Sequence, residues 1–208
     1  MSMMFPLCGT PRGSSVLLGS ILALLVACPL FAQQNGHGSL TPELVAARGA
    51  LDKYRDPIVA VHDGYLSSLG CIEYPDGGAE GAMRYLPGGM GVHFLNFGFV
   101  GGPLDPARPQ VLIYQPVGDK LELVAAEWFV PAEAAGPVRP RIFDTELEGP
   151  MEGHKPLMPE GMHHYDLHVW LWKANPAGVF SPTNAAVTCP KGTYSFAETA
   201  PKMVPHKH

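Results

Sequence analysis

The sequence predicts an α+β domain, an N-terminal helix pair followed by an antiparallel sheet of four to five strands that can curl into a small barrel. Three observations carry this. Apolar residues recur at helical spacing between residues 41 and 69. The apolar period changes to two from Gly91 onward. Clusters of Gly, Pro, Asn and Asp separate the alternating segments.

Residues 1–32 read as a secretory signal peptide. Arg12 precedes a short apolar run at 16–26, too short to span a bilayer, and small residues follow. Two cleavage points compete. Leu25, Val26, Ala27 and Cys28 resemble a lipoprotein signal of residues 1–27, which leaves a lipid anchor on Cys28. Ala32 suits an ordinary cut. Either one exports the chain to the periplasm, the cell envelope or the medium. Loss of the segment removes Arg12 and no acidic residue, so the net charge of −5 becomes −6. With no basic run, the partners expected are a small molecule or a metal ion, not nucleic acid.

A polar leader at 33–40 precedes a single domain at 41–192, and residues 193–208 read as a mobile tail. Thr41, Pro42 and Glu43 have the chemistry of a helix start, followed by Leu44, Ala47, Leu51 and Tyr54 on one stripe. Asp56 and Pro57 repeat the start signal, which predicts a second helix to residue 69 with Ile58, Val61, Tyr65 and Leu69 inward. Residues 75–91 read as loop with a short strand at 82–86. Strands are expected at 92–99, 111–116, 120–130 and 165–172, with a tight turn at Gly118 and Asp119. Residues 131–161, rich in Pro and Gly, read as a long loop with little regular structure.

Of four cysteines, Cys8 and Cys28 fall in the signal region. Cys71 and Cys189 remain, and in an oxidising compartment they most simply form a disulfide. A loop of this length contributes about 4–5 kcal/mol in the chain-entropy model. Two thiolate metal ligands are the alternative.

Chemistry concentrates on the predicted strands. On 165–172, His164, Asp166, His168, Trp170 and Trp172 share one face, and Leu167, Val169 and Leu171 share the other, the expected core face. Asp166 and His168 stand roughly 7 Å apart at Cα, near enough to ligate one ion. His93 interrupts an apolar strand. Glu127 does the same in LVAAEWFV, where a buried carboxylate is costly unless paired or metal-bound; the competing reading has it facing solvent. His93, Glu127 and His168 thus come from three strands of one sheet. Two imidazoles and a carboxylate suit Fe, Zn or Mn with positions left open for substrate. His62 is a fourth candidate ligand, on the inward stripe of the second helix. Asp166 or Tyr114 is placed to orient a ligand through a hydrogen bond.

A second metal signal is compositional. Met151, His154, Met158, Met162, His163 and His164 lie within fourteen residues of the long loop. Thioether and imidazole donors together suit Cu in both oxidation states. The Gly-rich stretches lack a phosphate-loop Lys, and G-x-S-x-G and H-E-x-x-H are absent.

The segments GMGVHFLNF, VLIYQP, LELVAAEWFVP and YDLHVWLWKANPAGVFSPTNAAVTCP resemble an uncharacterised family of exported bacterial proteins. The similarity spans about residues 50–190, and its LHVWLWxxNPxGxF block is the specific part. The resemblance implies weight for His93, Glu127 and His168, which lie inside its motif words, and implies no activity. The expected function is an exported metal-binding protein, open to being a metal-dependent enzyme. A copper-handling Met/His-loop protein and a metal-free small-ligand-binding envelope protein are the alternatives.

Overall fold

The computed structural model describes residues 39–80, 83–192 and 194–206. The signal segment, Cys28 and most of the leader lie outside the described residues.

The N-terminal signals act as their chemistry requires. The Thr41 hydroxyl accepts from the Leu44 amide, and helix α1 (Pro42–Leu51) buries Leu44, Ala47 and Leu51. Complete burial of each leucine contributes about 1.5–3 kcal/mol. A short 3₁₀ turn (Asp52–Arg55) buries Tyr54, and Asp56 caps the six-residue α2 (Pro57–His62). The expected helix pair is therefore not what forms. The second helix stops at His62, leaving Ile58 and Val61 exposed, and the residues expected in its second half belong to strand β1 (Leu66–Tyr74). As strand, Cys71 reaches Cys189 in a disulfide, with Cα atoms 5.5 Å apart, and Ile72 is fully buried.

Two short strands, β2 (Gly78–Glu80) and β3 (Met83–Tyr85), form a ribbon in the Gly-rich stretch. Strands β4 (Gly88–Leu95), β5 (Val111–Val117) and β6 (Lys120–Pro131) follow, the last two joined at Gly118 and Asp119. The stretch expected to be irregular contains a hairpin of β7 (Arg141–Ile142) and β8 (Thr145–Glu146), then β9 (Glu148–Met151). Phe143 and Asp144 turn that hairpin with φ of 54° and 55°. Phe143 is held there edge-on to Trp128, ring centroids 4.8 Å apart. Strand β10 (His164–Val169) and β11 (Ser195–Ala197) complete the set.

One sheet of seven strands results, in the order β11-β1-β4-β5-β6-β10-β9, rather than four to five. All pairs are antiparallel except β1 with β11. The unforeseen strands are short or poorly patterned; β9 carries a proline and β11 has three residues. The sheet curls as a half-barrel. Its outer face carries Val92, Phe94, Leu112, Tyr114, Trp128, Leu167 and Val169, packed with α1 into the largest core cluster. Its inner face carries His93, Val111, Ile113, Ala125, Glu127, Phe129, His164, Asp166 and His168.

The C-terminal segment ties the two ends of this curl together. Past β11, the Glu198 amide donates to the Glu73 carbonyl at 2.8 Å, on the β1 edge. Five residues later Met203 bridges Met151 of β9, and the Val204 amide donates to the Pro150 carbonyl at 2.8 Å. This strap and the loop after β9 cover the inner face, which is why all six residues of β10 are buried instead of alternating.

Candidate metal centre

Register brings the first three candidates together. His168 on β10 stands directly opposite Glu127 on β6, and Glu127 stands opposite Val111 on β5. His93 on β4 faces Ile113 of the same middle strand, so its side chain shares the inner face. Gly91 permits this approach. It adopts φ +107°, and a Cβ there would stand 2.6 Å from the Tyr114 carbonyl oxygen. The Glu127 Oε2 atom lies 3.5 Å from His93 Nε2 and 3.4 Å from His168 Nε2. The two imidazole centroids are 6.0 Å apart, inside the ~8 Å that metal–nitrogen bonds of about 2 Å allow. All three side chains are buried, so Glu127 does not face solvent.

This cluster is rich in polar atoms without a protein partner. Glu127 Oε2, both ring nitrogens of His168 and His93 Nδ1 are buried and make no hydrogen bond. Each such atom costs about 1–3 kcal/mol unless something satisfies it. Burial, reinforced by the neighbouring imidazoles, pushes His93 down to about 3. Burial also pulls His168 down to about 4, against the attraction of Asp166. Burial and then the Asp166 charge hold the Glu127 carboxyl well above the usual carboxylate range. A neutral carboxyl beside two neutral imidazoles is the set a cation would recharge.

A cavity of about 820 Å³ opens beside this cluster, with His93 and Glu127 in its wall. Leu95, Phe97, Val111, Phe129, Leu157 and Met162 make the rest of it largely apolar.

A second cluster lies further along the same strand face. His154, His164 and Asp166 offer ligand atoms within 4.8 Å of one another, as the first three do. Asp166 Oδ2 is 3.5 Å from His164 Nε2 and 4.0 Å from His154 Nε2. Burial opposes ionisation of Asp166, but the His164 contact and the surrounding imidazoles outweigh it and bring the carboxyl to about 2. Gly149, with φ +117°, lets β9 approach here; a Cβ on it would meet the His164 carbonyl oxygen at 2.6 Å.

The remaining candidates separate. His62 does not join either cluster; it is exposed on α2, its Nδ1 3.7 Å from Asp63 Oδ1. Tyr114 orients no candidate ligand, since it lies on the outer face and donates to the Tyr54 carbonyl at 2.6 Å. Asp166 belongs to the second cluster as a potential ligand. The Met/His loop does not act as one unit. His154 and His164 enter the second cluster with Met151 beside them, whereas Met158, Met162 and His163 line the cavity. Sequence reasoning missed Tyr74 and Glu198, which contact His154 from β1 and from the strap. Neither carries a local signal, because only the curl of the sheet brings them to that imidazole.

Comparison with family models, curated proteins and solved structures finds no match to this chain. The site therefore rests on its own geometry. Buried His, Glu and Asp groups that could hold a metal ion are present, and Cys71 and Cys189 are joined as expected.

Proposed function

We propose that this is an exported metal-binding protein that presents a divalent transition metal, held by His93, Glu127 and His168, to a small apolar molecule. The observation that carries it is the convergence of three buried ligand side chains, with unpaired nitrogen and oxygen atoms, at the wall of an apolar cavity. Such a concave apolar space with a few convergent polar groups is the usual form of a small-molecule site. Two imidazoles and a carboxylate suit Fe(II), Zn(II) or Mn(II), and three protein ligands leave positions for substrate. The metal would supply Lewis-acid or redox chemistry there. The chain's own residues would orient it and exclude water. Export is supported by the Cys71–Cys189 disulfide, which fits an oxidising compartment. Among the described residues no helix is long and apolar enough to cross a membrane.

The test is metal analysis of freshly purified protein by mass spectrometry, followed by re-addition of Fe, Zn, Mn and Cu. Bound metal that His93→Ala and His168→Ala each release supports the reading. No uptake of any of the four metals overturns it and leaves a metal-free binder of apolar ligands.

A further inference from the structure

We propose that His154, His164 and Asp166, with the Met151 thioether beside them, form a second metal site suited to copper and closed over by the C-terminal strap. The three form a group distinct from His93, Glu127 and His168, and none of them lines the apolar cavity.

The case rests on which ring nitrogens are free to bind. The Tyr74 hydroxyl donates to Glu198 Oε2 at 2.9 Å, which uses its one proton. It can then only accept from His154 Nδ1, 3.1 Å away, so that nitrogen carries the proton. The lone pair of His154 is left on Nε2, which faces Asp166 and lies 3.4 Å from Met151 Sδ. His164 repeats the pattern. Its Nδ1 lies 3.3 Å from the Met162 carbonyl, which can only accept, and its Nε2 is buried without a partner. With their protons on Nδ1, both imidazoles would present Nε2 lone pairs to a cation bound beside one carboxylate. A metal-binding histidine is normally anchored this way, through its other nitrogen. His164 is fully buried and Asp166 nearly so, which makes an unfilled cluster costly.

Donor chemistry narrows the metal. Two imidazoles, a carboxylate and an adjacent thioether match the mixed hard and soft preferences of copper better than those of Mg or Mn. The roof is specific too. Glu198 lies four residues before the Lys202 to Val204 stretch that joins β9 and its end, so one segment both closes the sheet and contacts His154.

The experiment loads the purified, disulfide-intact chain with copper, removes excess by gel filtration and counts metal per chain. Two equivalents are expected. His93→Gln should lose one, and His154→Gln should lose the other. X-ray absorption on copper-loaded His93→Gln protein should show a sulfur neighbour that Met151→Leu, a volume-conserving change, abolishes. Should His154→Gln fail to fold, Glu198→Gln is read instead, with a drop of about 10- to 100-fold in copper affinity at this site. A His154-dependent equivalent without a His93-dependent one would support this site; the first is then judged by its own uptake of Fe, Zn and Mn. Copper that is indifferent to His154 and Glu198, or a spectrum without sulfur, would overturn the proposal.

Discussion

The two clusters share one face of one strand and differ in almost everything that prepares a ligand. Asp166 and His168 are two residues apart on β10, yet one carboxylate nearby is held ionised and the other neutral. Around His154 and His164 the Nδ1 atoms are anchored, and the Nε2 atoms face Asp166. Around His93 and His168 the Nδ1 atoms have no partner, and His93 and Glu127 open onto the cavity. The difference lies in what covers the sheet. The strap and the loop after β9 close over the second cluster; the strap lends it Glu198, β1 lends Tyr74 and β9 lends Met151. The first is left at the wall of the cavity. An enclosed set and an open, under-satisfied set can thus be built two residues apart on one strand, and a position left open for substrate is what a reacting metal site requires.

The largest expected effect comes from the disulfide, because Cys189 leads into the segment that ends in the strap. Cys71→Ser should lower stability by about 4–5 kcal/mol. In urea titrations followed with copper bound, it should weaken the second cluster more than the first; equal weakening of both would break the link between strap and site. Next come the two close-approach glycines. Gly91→Ala and Gly149→Ala should each cost about 1–3 kcal/mol, from backbone forced into a region alanine avoids. Gly91→Ala should disturb metal uptake dependent on His93, and Gly149→Ala uptake dependent on His154. Metal counting on the pair, with the reverse assignment as the damaging result, sharpens the comparison.

Smaller effects follow from protonation in the metal-free chain. Glu127 keeps its proton above its ordinary 4.5 when folded, so above that pH the unfolded state binds fewer protons and stability falls as pH rises. Asp166 gives the opposite sign: between its ordinary 3.8 and about 2, stability is lost as pH falls. His93 and His168 also favour higher pH, below their ordinary 6.5 and down to about 3 and about 4 respectively. Each group contributes up to about 1.4 kcal/mol per pH unit within its window. Urea unfolding at stepped pH in chelator should show Glu127→Gln removing the alkaline decline and Asp166→Asn flattening the most acidic limb. A Glu127→Gln profile identical to wild type above pH 5 would contradict the neutral carboxyl. The smallest effect is His62→Ala. This exposed position should change stability by no more than about 0.5 kcal/mol and leave metal counts intact.

Much of this was legible along the chain, for local reasons. The caps at Thr41 and Asp56 and the turn at Gly118 depend on a few adjacent residues. Period-two alternation identified β4, β5, β6 and β10. An imidazole or carboxylate inside an apolar strand marked His93, Glu127 and His168, because burial of such groups demands a partner. The helix expected through residue 69 failed because a helical stripe six residues long was extended into a segment that pairs better as β1. His62 and Tyr114 failed for the same kind of reason, since face assignments made one element at a time do not say which element covers which face.

The sequence by itself determined the α+β composition, the central strands, the pairing of two cysteines and one three-residue cluster that could hold a metal ion. Each of these follows from short-range pattern or from counting. Only the tertiary structure decided that the sheet curls, that a three-residue strand and a strap join its edges, and that the Met/His loop divides between a cavity wall and a second cluster. Those outcomes depend on contacts between residues such as Tyr74, His154 and Glu198, up to 124 positions apart, which no local pattern encodes.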